Sequence, residues 1–244
     1  MKLKILSWNI WGGRHIEDVL AFLKDADADI IALQEVIKEK DTNTALTIAE
    51  RLKYEPVYAI GMPISSKWTG PIREKEETLM FGNAILSKHP ITFSKHYELS
   101  SGESRIVISA DISINGSIVH VFSVHLKHLH ITQNKPEIVA MHDGQADQLA
   151  KFLPPSRTVV MGDFNALPGS YAIKKMSSVV RDAEVDSATP TWSVYPEGCD
   201  VCSPKGIAYK LDYIFTSKDI ITSSFKVEQS DGSDHLPVSA IVEL

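Results

Sequence analysis

The sequence predicts an α/β protein, because segments typical of strands and segments typical of helices are mixed along the whole chain. Nine apolar segments have the length of strands, and four others have the apolar periodicity of amphipathic helices. The chain has 244 residues, 43% of them apolar, which is enough to bury one large core. No segment has the composition of a linker. We therefore expect a single domain that spans residues 1–244.

The predicted elements follow one another as short apolar runs separated by amphipathic or polar segments. Strands are predicted at residues 3–10, 28–33, 56–60, 83–87, 104–112, 117–125, 157–162, 211–216 and 235–243. Helices are predicted at residues 15–25, 42–52, 136–153 and 169–177. The segment from Gly61 to Phe81 has no clear periodicity and is longer than most connections within a domain, so we expect a long loop there.

The charge of the chain restricts the classes of partner that it can bind. A net charge of −6 argues against wrapping long nucleic acid by electrostatic attraction. An anionic substrate would need a bound metal or a local group of cations to receive it. The sequence starts without an apolar signal core, and no apolar run approaches the roughly 20 residues that span a membrane. We expect a cytoplasmic monomer without a transmembrane segment.

Polar residues stand at the ends of the apolar strands, where loops can direct side chains toward a ligand. Seven residues share this placement: Asn9, Glu35, His125, Asp163, Asn165, Asp234 and His235. In "GDFN", Asp163 and Asn165 are two positions apart, so a strand continuing through them would project both side chains to the same face. The alternative is an Asx turn at the end of the strand.

Seven strings of the sequence resemble, in order, motifs of the endonuclease/exonuclease/phosphatase superfamily. They are "SWNIWG", "LQEV", "NAILSKHPI", "VHL", "GDFN", "LDYIF" and "SDHLPV", and they span nearly the whole chain. The resemblance implies a four-layer sandwich of the DNase I-like type, with two mixed β-sheets packed face to face, helices on the outside, and one catalytic domain over residues 1–244. It implies hydrolysis of phosphoester bonds, without naming the substrate or distinguishing monoesters from diesters.

The same resemblance suggests the catalytic residues. A carboxylate can orient and deprotonate a water for attack on phosphorus, and Asp163 is the predicted general base. Asn165 would hold that water or a phosphate oxygen, and His125 would contact the phosphate or assist the leaving group. His235 would stabilise the developing negative charge, with Asp212 fixing the tautomer of its ring.

A metal site is predicted beside these residues. Mg²⁺ or Mn²⁺ takes one or two carboxylate oxygens and otherwise keeps waters and substrate oxygens. Glu35 of "LQE" is the principal predicted ligand, with Asn9 beside it and Asp234 as a second carboxylate. Some members of the superfamily carry an acidic residue two positions after that asparagine, whereas this chain has Trp11, so its site would use fewer carboxylates.

Two residues are candidates for binding the substrate. Arg105 begins a strand that resembles one whose first arginine lies near the phosphate, although an exposed cation at a strand end is an equal alternative. Trp68 lies in the segment from Gly61 to Phe81, near several cations. It would either contact the substrate at the rim of the cleft or anchor the loop onto the domain.

Two other features are interpreted as structural. His120 lies inside an apolar strand, where a hydrogen-bonded histidine is the more common case. Cys199 and Cys202 form "CDVC" in a segment rich in proline and glycine, and we interpret them as loop thiols rather than a zinc or redox site.

The sequence therefore predicts an Mg²⁺- or Mn²⁺-dependent phosphoesterase, either a phosphodiesterase or a phosphatase. One alternative is a DNA repair-type endonuclease or exonuclease, which the acidic net charge does not favour. The other is a non-catalytic binding protein on the same fold, although competent residues occupy each expected catalytic position.

Overall fold

Two six-stranded mixed β-sheets form the centre of the protein in the computed structural model. The structure describes residues 1–71, 73–99, 105–129, 131–132, 135–136, 140–184, 188–194 and 206–244, so Cys199 and Cys202 lie outside the described residues. The strands in chain order are β1 (Lys2–Asn9), β2 (Ile30–Lys38), β3 (Glu55–Ser65), β4 (Thr78–Ser87), β5 (Ile91–Leu99), β6 (Arg105–Ile114), β7 (Ser117–His125), β8 (Ile131–Thr132), β9 (Lys135–Pro136), β10 (Thr158–Asp163), β11 (Arg181–Asp182), β12 (Asp212–Thr216), β13 (Ile221–Val227) and β14 (Val238–Glu243).

The helices cover the outer faces of the sheets. They are α1 (Ile16–Ala26), α2 (Thr44–Leu52), α3 (Ala140–Phe152) and α4 (Tyr171–Val179), and a short 3₁₀ turn spans Trp11–Gly13. None of the helices in the described part of the chain is long and apolar enough to cross a membrane.

Each sheet combines antiparallel pairs with one parallel pair. The first sheet has the order β13-β14-β1-β2-β4-β3, with β1 and β2 parallel. The second has the order β11-β12-β10-β7-β6-β5, with β7 and β10 parallel. The four-layer sandwich implied by the sequence resemblance is therefore confirmed.

The apolar pattern of the strands explains the layers. Ile5 of β1 packs between the two sheets, whereas its neighbour Leu6 packs on the other face beneath α1 and α2. In the second sheet Val159 packs inward, and Val160 packs outward with residues of α3 and α4. Because the central strands are covered on both faces, they read as continuous apolar runs.

The sequence missed strands at the edges of the sheets. β5 and β13 are edge strands whose side chains are largely exposed, so neither has an apolar run. The short strand β11 is also an edge. The prediction of a loop from Gly61 to Phe81 was too long, since β3 continues to Ser65 and β4 begins at Thr78.

Candidate active site

The register of the second sheet brings three predicted site residues together at one end of the sandwich. Asp163 is the last residue of β10, and it pairs with His125 at the end of β7 on one side. On the other side it pairs with Asp212, the first residue of β12. Gly162 precedes this group, and a Cβ at that position would lie 1.9 Å from the carbonyl oxygen of Val124, so only glycine fits there.

The Asp163 carboxylate is the centre of the site. Its Oδ2 accepts a hydrogen bond from Asn9 Nδ2 at 3.1 Å. The same oxygen lies 3.5 Å from His125 Nε2 and 3.6 Å from His235 Nε2. Burial raises the pKa of Asp163 to about 7, although the positive charge of His235 opposes this rise. A carboxylate with such a pKa can exchange a proton near neutral pH.

Asn165 lies next to Asp163 for a reason other than strand alternation. The strand ends at Asp163, and Asn165 has a left-handed backbone with φ of 48°. Its N–H donates to Asp163 Oδ1 at 2.8 Å, which is an Asx turn, and its Nδ2 donates to Asp163 Oδ2 at 3.2 Å. Its Oδ1 accepts from the N–H of Leu129 at 3.2 Å. The buried amide thus positions Asp163 and the segment that follows His125.

His235 is held by a buried carboxylate. Its Nδ1 is 2.8 Å from Asp212 Oδ2, which also accepts the hydroxyl of Thr191 at 2.6 Å. Burial opposes protonation of the ring, but the charges of Asp212 and Asp163 outweigh it and raise the pKa of His235 well above its ordinary value. The raised pKa favours the protonated ring, and its Nε2 lies 3.6 Å from Asp163 Oδ2.

His125 has different surroundings. Burial lowers its pKa well below the ordinary value, and the nearby charges of Arg105 and His235 lower it further. The Phe81 and His125 rings pack in a T-shaped arrangement with centroids 5.8 Å apart, and the Arg105 guanidinium lies 5.5 Å from the Phe81 centroid. Arg105 is buried, so it is not an exposed strand-end cation.

A β-bulge directs Glu35 into the cleft. The pairing of β2 with β4 shifts register between Gln34 and Val36, and Glu35 between them has a left-handed φ of 57°. Its Oε1 accepts from Asn9 Nδ2 at 3.2 Å, and its Oε2 accepts the hydroxyl of Thr69 at 2.7 Å. Burial, and then the negative charge of Asp234, raise the pKa of Glu35. Such strained positions in non-glycine residues are concentrated at functional sites.

The side chains near Glu35 suit a hard divalent cation. Asp234 is half-buried, and its Oδ2 accepts the indole N–H of Trp192 at 3.1 Å. Within the described residues, neither Glu35 nor Asp234 forms a salt bridge with lysine or arginine, although the Arg14 guanidinium interacts electrostatically with both carboxylates. Oxygen donors that repel one another in an open cleft are the ligands that Mg²⁺ and Mn²⁺ take. The predicted ligand Asn9 bridges Glu35 and Asp163 through its amide nitrogen, and its Oδ1 accepts the N–H of Trp11.

A second group of residues could also hold a metal. Ligand atoms of Asp163, Asp212 and His235 all lie within 4.8 Å of one another. However, His235 Nδ1 and Asp212 Oδ2 are already joined by a hydrogen bond, and the three side chains are almost completely buried. A cation that retains several waters fits the more open pair Glu35 and Asp234 better.

The loop segment of residues 66–71 lines one side of the cleft and is held through its backbone. The indole N–H of Trp11 donates to the carbonyl oxygen of Trp68 at 2.7 Å, and Arg14 Nε donates to that of Gly70 at 3.0 Å. Gly12 packs so closely that a Cβ there would lie 2.4 Å from Gly70 N. The Trp68 side chain itself is 45% exposed. The loop is therefore held partly through the Trp68 carbonyl. The indole ring of Trp68 is exposed at the rim of the cleft, where a ligand can reach it.

The cleft has a volume of about 560 Å³ and brings most of the predicted residues to one surface. It is lined by Trp11, Glu35, Met62, Ile64, Trp68, Thr69, Phe81, Arg105, His125, His128, Asp163, Trp192, Asp234 and His235. Three predicted residues, Asn9, Asn165 and Asp212, lie behind the lining and contact it. Sequence reasoning missed Thr69 and Thr191, which hold Glu35 and Asp212 from distant loops and have no local sequence signal. It also missed Met62 and Phe81, which belong to strand ends assigned to a loop.

Comparisons with known proteins agree with this architecture. The model of the endonuclease/exonuclease/phosphatase family matches residues 6–235. An endonuclease/exonuclease/phosphatase from Beutenbergia cavernae DSM 12333 aligns with a TM-score of 0.77 at 18% identity, covering 100% of this chain and 72% of that chain. The mannosyl-6-phosphatase of Bacteroides thetaiotaomicron VPI-5482 aligns with a TM-score of 0.66 at 15% identity, over 99% of this chain and 100% of that chain.

A solved structure of an animal protein has the same fold. Humanized TDP2 from D. rerio aligns with a TM-score of 0.64 at 17% identity, covering 100% of this chain and 99% of that chain. No curated protein matches the sequence. At identities this low, the structural likenesses establish the fold alone.

Proposed function

The chain belongs to the endonuclease/exonuclease/phosphatase family, and we propose that it is a divalent-metal-dependent hydrolase of phosphoester bonds. The observation that carries this proposal is the environment of Asp163. One carboxylate oxygen of Asp163 is approached by Asn9, His125 and His235, in a cleft that also contains two further carboxylates. A general base, a cationic ring and a group of metal-type ligands are thus adjacent.

Each side chain of the cleft has its own catalytic role in this proposal. Asp163, with its raised pKa, removes a proton from the attacking water. The protonated ring of His235, oriented by Asp212, stabilises the negative charge that develops on the phosphoryl oxygens. Arg105 adds a fixed positive charge on the side of His125, whose neutral ring would donate an N–H hydrogen bond to the leaving oxygen as negative charge develops on it.

For Asn165 we propose a positioning role, beside the predicted contact with the water or a phosphate oxygen. Its amide is buried and makes hydrogen bonds to Asp163 and to the backbone after His125. We assign it as a positioning residue for the base. Asn9 likewise positions Asp163 and Glu35 through one amide nitrogen.

Glu35 and Asp234 would hold the cation, either Mg²⁺ or Mn²⁺. When bound, the metal supplies Lewis-acid neutralisation of phosphate charge. Glu35 is kept in place by Thr69 and Asn9, and Asp234 by Trp192. The single catalytic domain, the monomeric state and the cytoplasmic location stay predictions.

A substrate panel in the presence and absence of the metal tests the proposal. Hydrolysis of nitrophenyl phosphoesters, inositol phosphates, sphingomyelin, oligonucleotides and supercoiled DNA would be measured with Mg²⁺ or Mn²⁺ and again with a chelator. We expect chelator-sensitive turnover of at least one phosphoester. Cleavage confined to DNA would favour the repair nuclease, and turnover of none would favour a binding protein.

Replacement of Glu35 tests the metal assignment. Glu35→Gln keeps the size of the side chain and removes the ligand charge, so Mg²⁺ affinity measured by calorimetry should fall and turnover should be lost. Glu17→Gln, at an exposed glutamate on α1 paired with Arg51, is the matched control and should keep both properties. Unchanged Mg²⁺ affinity in Glu35→Gln would remove Glu35 from the metal site.

A further inference from the structure

One wall of the cleft is apolar, and we define it by Met62, Ile64, Trp68 and Phe81. Met62 and Ile64 lie two positions apart on β3, and Phe81 of β4 is paired directly with Met62. The side chains of Met62 and Ile64 are half-buried, and that of Trp68 is 45% exposed. This apolar wall adjoins the catalytic residues, because the Phe81 ring packs against His125.

The bulge in β3 explains why this apolar wall faces the cleft. Before the bulge, Val57 and Ala59 point into the core between the two sheets. The register then shifts between Ile60 and Met62. Without this shift, the odd-numbered side chains of β3 would continue to face the second sheet. The bulge reverses the alternation, so the side chains of Met62 and Ile64 lie on that inner face instead. The inner apolar face of the first sheet thus extends past the inter-sheet core into the cleft.

The rest of the lining gives the surroundings of this apolar wall. Among the described residues that line the cleft, Arg105 is the one arginine, and none is a lysine. Recognition of a nucleic acid backbone relies on several lysine or arginine contacts to successive phosphates. Two further cations border the lining, since Arg14 lies over the Trp11 ring and Lys67 over the Trp68 ring. The lining itself offers one arginine beside an apolar wall, and such a surface is better suited to one phosphate group attached to an apolar group.

Building on the proposed function, we propose that the apolar wall is a subsite for the alcohol portion of the phosphoester and that this portion is apolar. The phosphate lies at Asp163, His125 and His235, and the attached group extends along Phe81 and Met62. Burial of methylene or aromatic surface on these side chains contributes binding energy that a small polar alcohol cannot provide. A planar group would in addition stack on the Trp68 ring.

Binding of phosphonates tests this subsite without requiring turnover. The carbon–phosphorus bond resists hydrolysis, so calorimetry with methylphosphonate, hexylphosphonate and benzylphosphonate in Mg²⁺ isolates the contribution of the attached group. We expect the hexyl or the benzyl compound to bind at least about tenfold more tightly than the methyl compound, because added apolar surface is buried. Preference for hexyl indicates an alkyl alcohol, and preference for benzyl indicates an aryl alcohol.

Two variants assign the preference to the apolar wall. Met62→Gln and Ile64→Thr each keep most of the side-chain shape, and together they should reduce the preference to less than about threefold. Ile221→Thr, at an edge-strand residue 65% exposed and outside the cleft lining, is the matched control and should keep the preference. The subsite is overturned if the native protein binds the three phosphonates equally, or if the double variant retains the full preference.

The outcomes also separate this inference from the proposed function. Chelator-sensitive hydrolysis of a nitrophenyl phosphoester without any preference among the phosphonates would retain the proposed function and reject the subsite. Preferential binding of hexylphosphonate or benzylphosphonate without hydrolysis of any phosphoester would retain the subsite and reject the catalytic role.

Discussion

His125 and His235 both contact Oδ2 of Asp163, yet the pKa values of the two rings move in opposite directions. Both side chains are buried, so burial lowers the pKa of each. The difference comes from their neighbours. His235 lies near Asp212 and Asp163, whereas His125 lies near Arg105 and receives no comparable support from a second carboxylate. At similar burial, the neighbours of His235 favour the protonated ring and those of His125 favour the neutral ring.

One cleft thus contains a histidine with a raised pKa and a histidine with a lowered pKa. The carboxylate side, with Asp212, Asp234 and Glu35, keeps His235 protonated and can hold a divalent cation. The other side, with Arg105 and Phe81, keeps His125 neutral. Asp163 contacts both histidines, so replacing it should change the activity and the pKa values of the two rings most.

The largest effect is expected for Asp163→Asn. The amide cannot accept the proton of the attacking water, so the catalytic rate should fall by about 10²- to 10⁴-fold. The variant also removes a negative charge that raises the pKa of His235, and NMR titration of that ring should show a lower pKa. In the native protein activity should rise with pH through the pKa of Asp163, because the base acts when deprotonated.

Asp111→Asn is the control for Asp163→Asn. Asp111 also contacts a histidine, His120, but its side chain is 32% exposed and lies outside the cleft lining. The Asp111→Asn variant should keep the native catalytic rate. A near-native rate in Asp163→Asn would show that another group is the base.

His235→Gln should have the next largest effect. Loss of the cation should lower the rate at least about a hundredfold, as for other groups that stabilise developing negative charge. The native activity should decline as pH rises through the raised pKa of His235, because the ring acts when protonated. That decline should be absent from the residual activity of His235→Gln.

The other His–Asp pair provides the control for this variant. His120 Nδ1 lies 2.7 Å from Asp111 Oδ1, much like the pair in the cleft, but both side chains are about one-third exposed (31% and 32%). His120→Gln should keep the rate and its pH dependence, as the structural interpretation of His120 requires. A retained alkaline decline in His235→Gln would assign that titration to a different group.

The sequence predicted the strands that are buried on both faces, found only part of the edge strand β3, and missed the edge strands β5, β11 and β13. β7 was predicted at its observed bounds because its apolar run is covered on both faces. The missed β13 alternates exposed and partly exposed residues at a sheet edge. Its pairing with β14 comes from tertiary contacts that leave no apolar run in the local sequence.

The sequence predicted the site residues that lie in recognisable motifs. It did not predict the contacts that hold these residues when the partner comes from a distant segment of the chain. The motifs identified Asp163, His235 and Glu35, and the structure brings these side chains to one cleft. The bulge that turns Glu35 inward, and the hydroxyl of Thr69 from 34 residues away, depend on the folded loops. Such contacts have no periodic signature in the sequence.

Thr69 offers a smaller and more selective test of the carboxylate side. Thr69→Val keeps the shape of a buried side chain but removes the donor to Glu35 Oε2. Because groups that hold metal ligands tune affinity, calorimetry should show Mg²⁺ binding weakened about 10- to 100-fold. The low pKa of His125 should persist, since Thr69 acts only on the other side of the cleft.

Thr69→Ser is the control that separates positioning from packing. Serine retains the hydroxyl and should restore most of the Mg²⁺ affinity, whereas a purely structural role would lower the melting temperature in both variants. Native Mg²⁺ affinity in Thr69→Val would contradict the assignment.

The smallest effect is expected for Trp68→Ala, which removes an exposed ring and leaves both histidines in place. The loop accepts the Trp11 indole N–H through the Trp68 carbonyl, which alanine retains, so the melting temperature should change little. If the ring contacts the substrate, KM for a hydrolysed phosphoester should rise severalfold with kcat largely kept. Trp11→Phe makes the reciprocal change, because it keeps an aromatic ring and removes the hydrogen bond to the loop, and it should lower the melting temperature. A lower melting temperature in Trp68→Ala, with kcat reduced as well, would instead identify the Trp68 ring as the loop anchor.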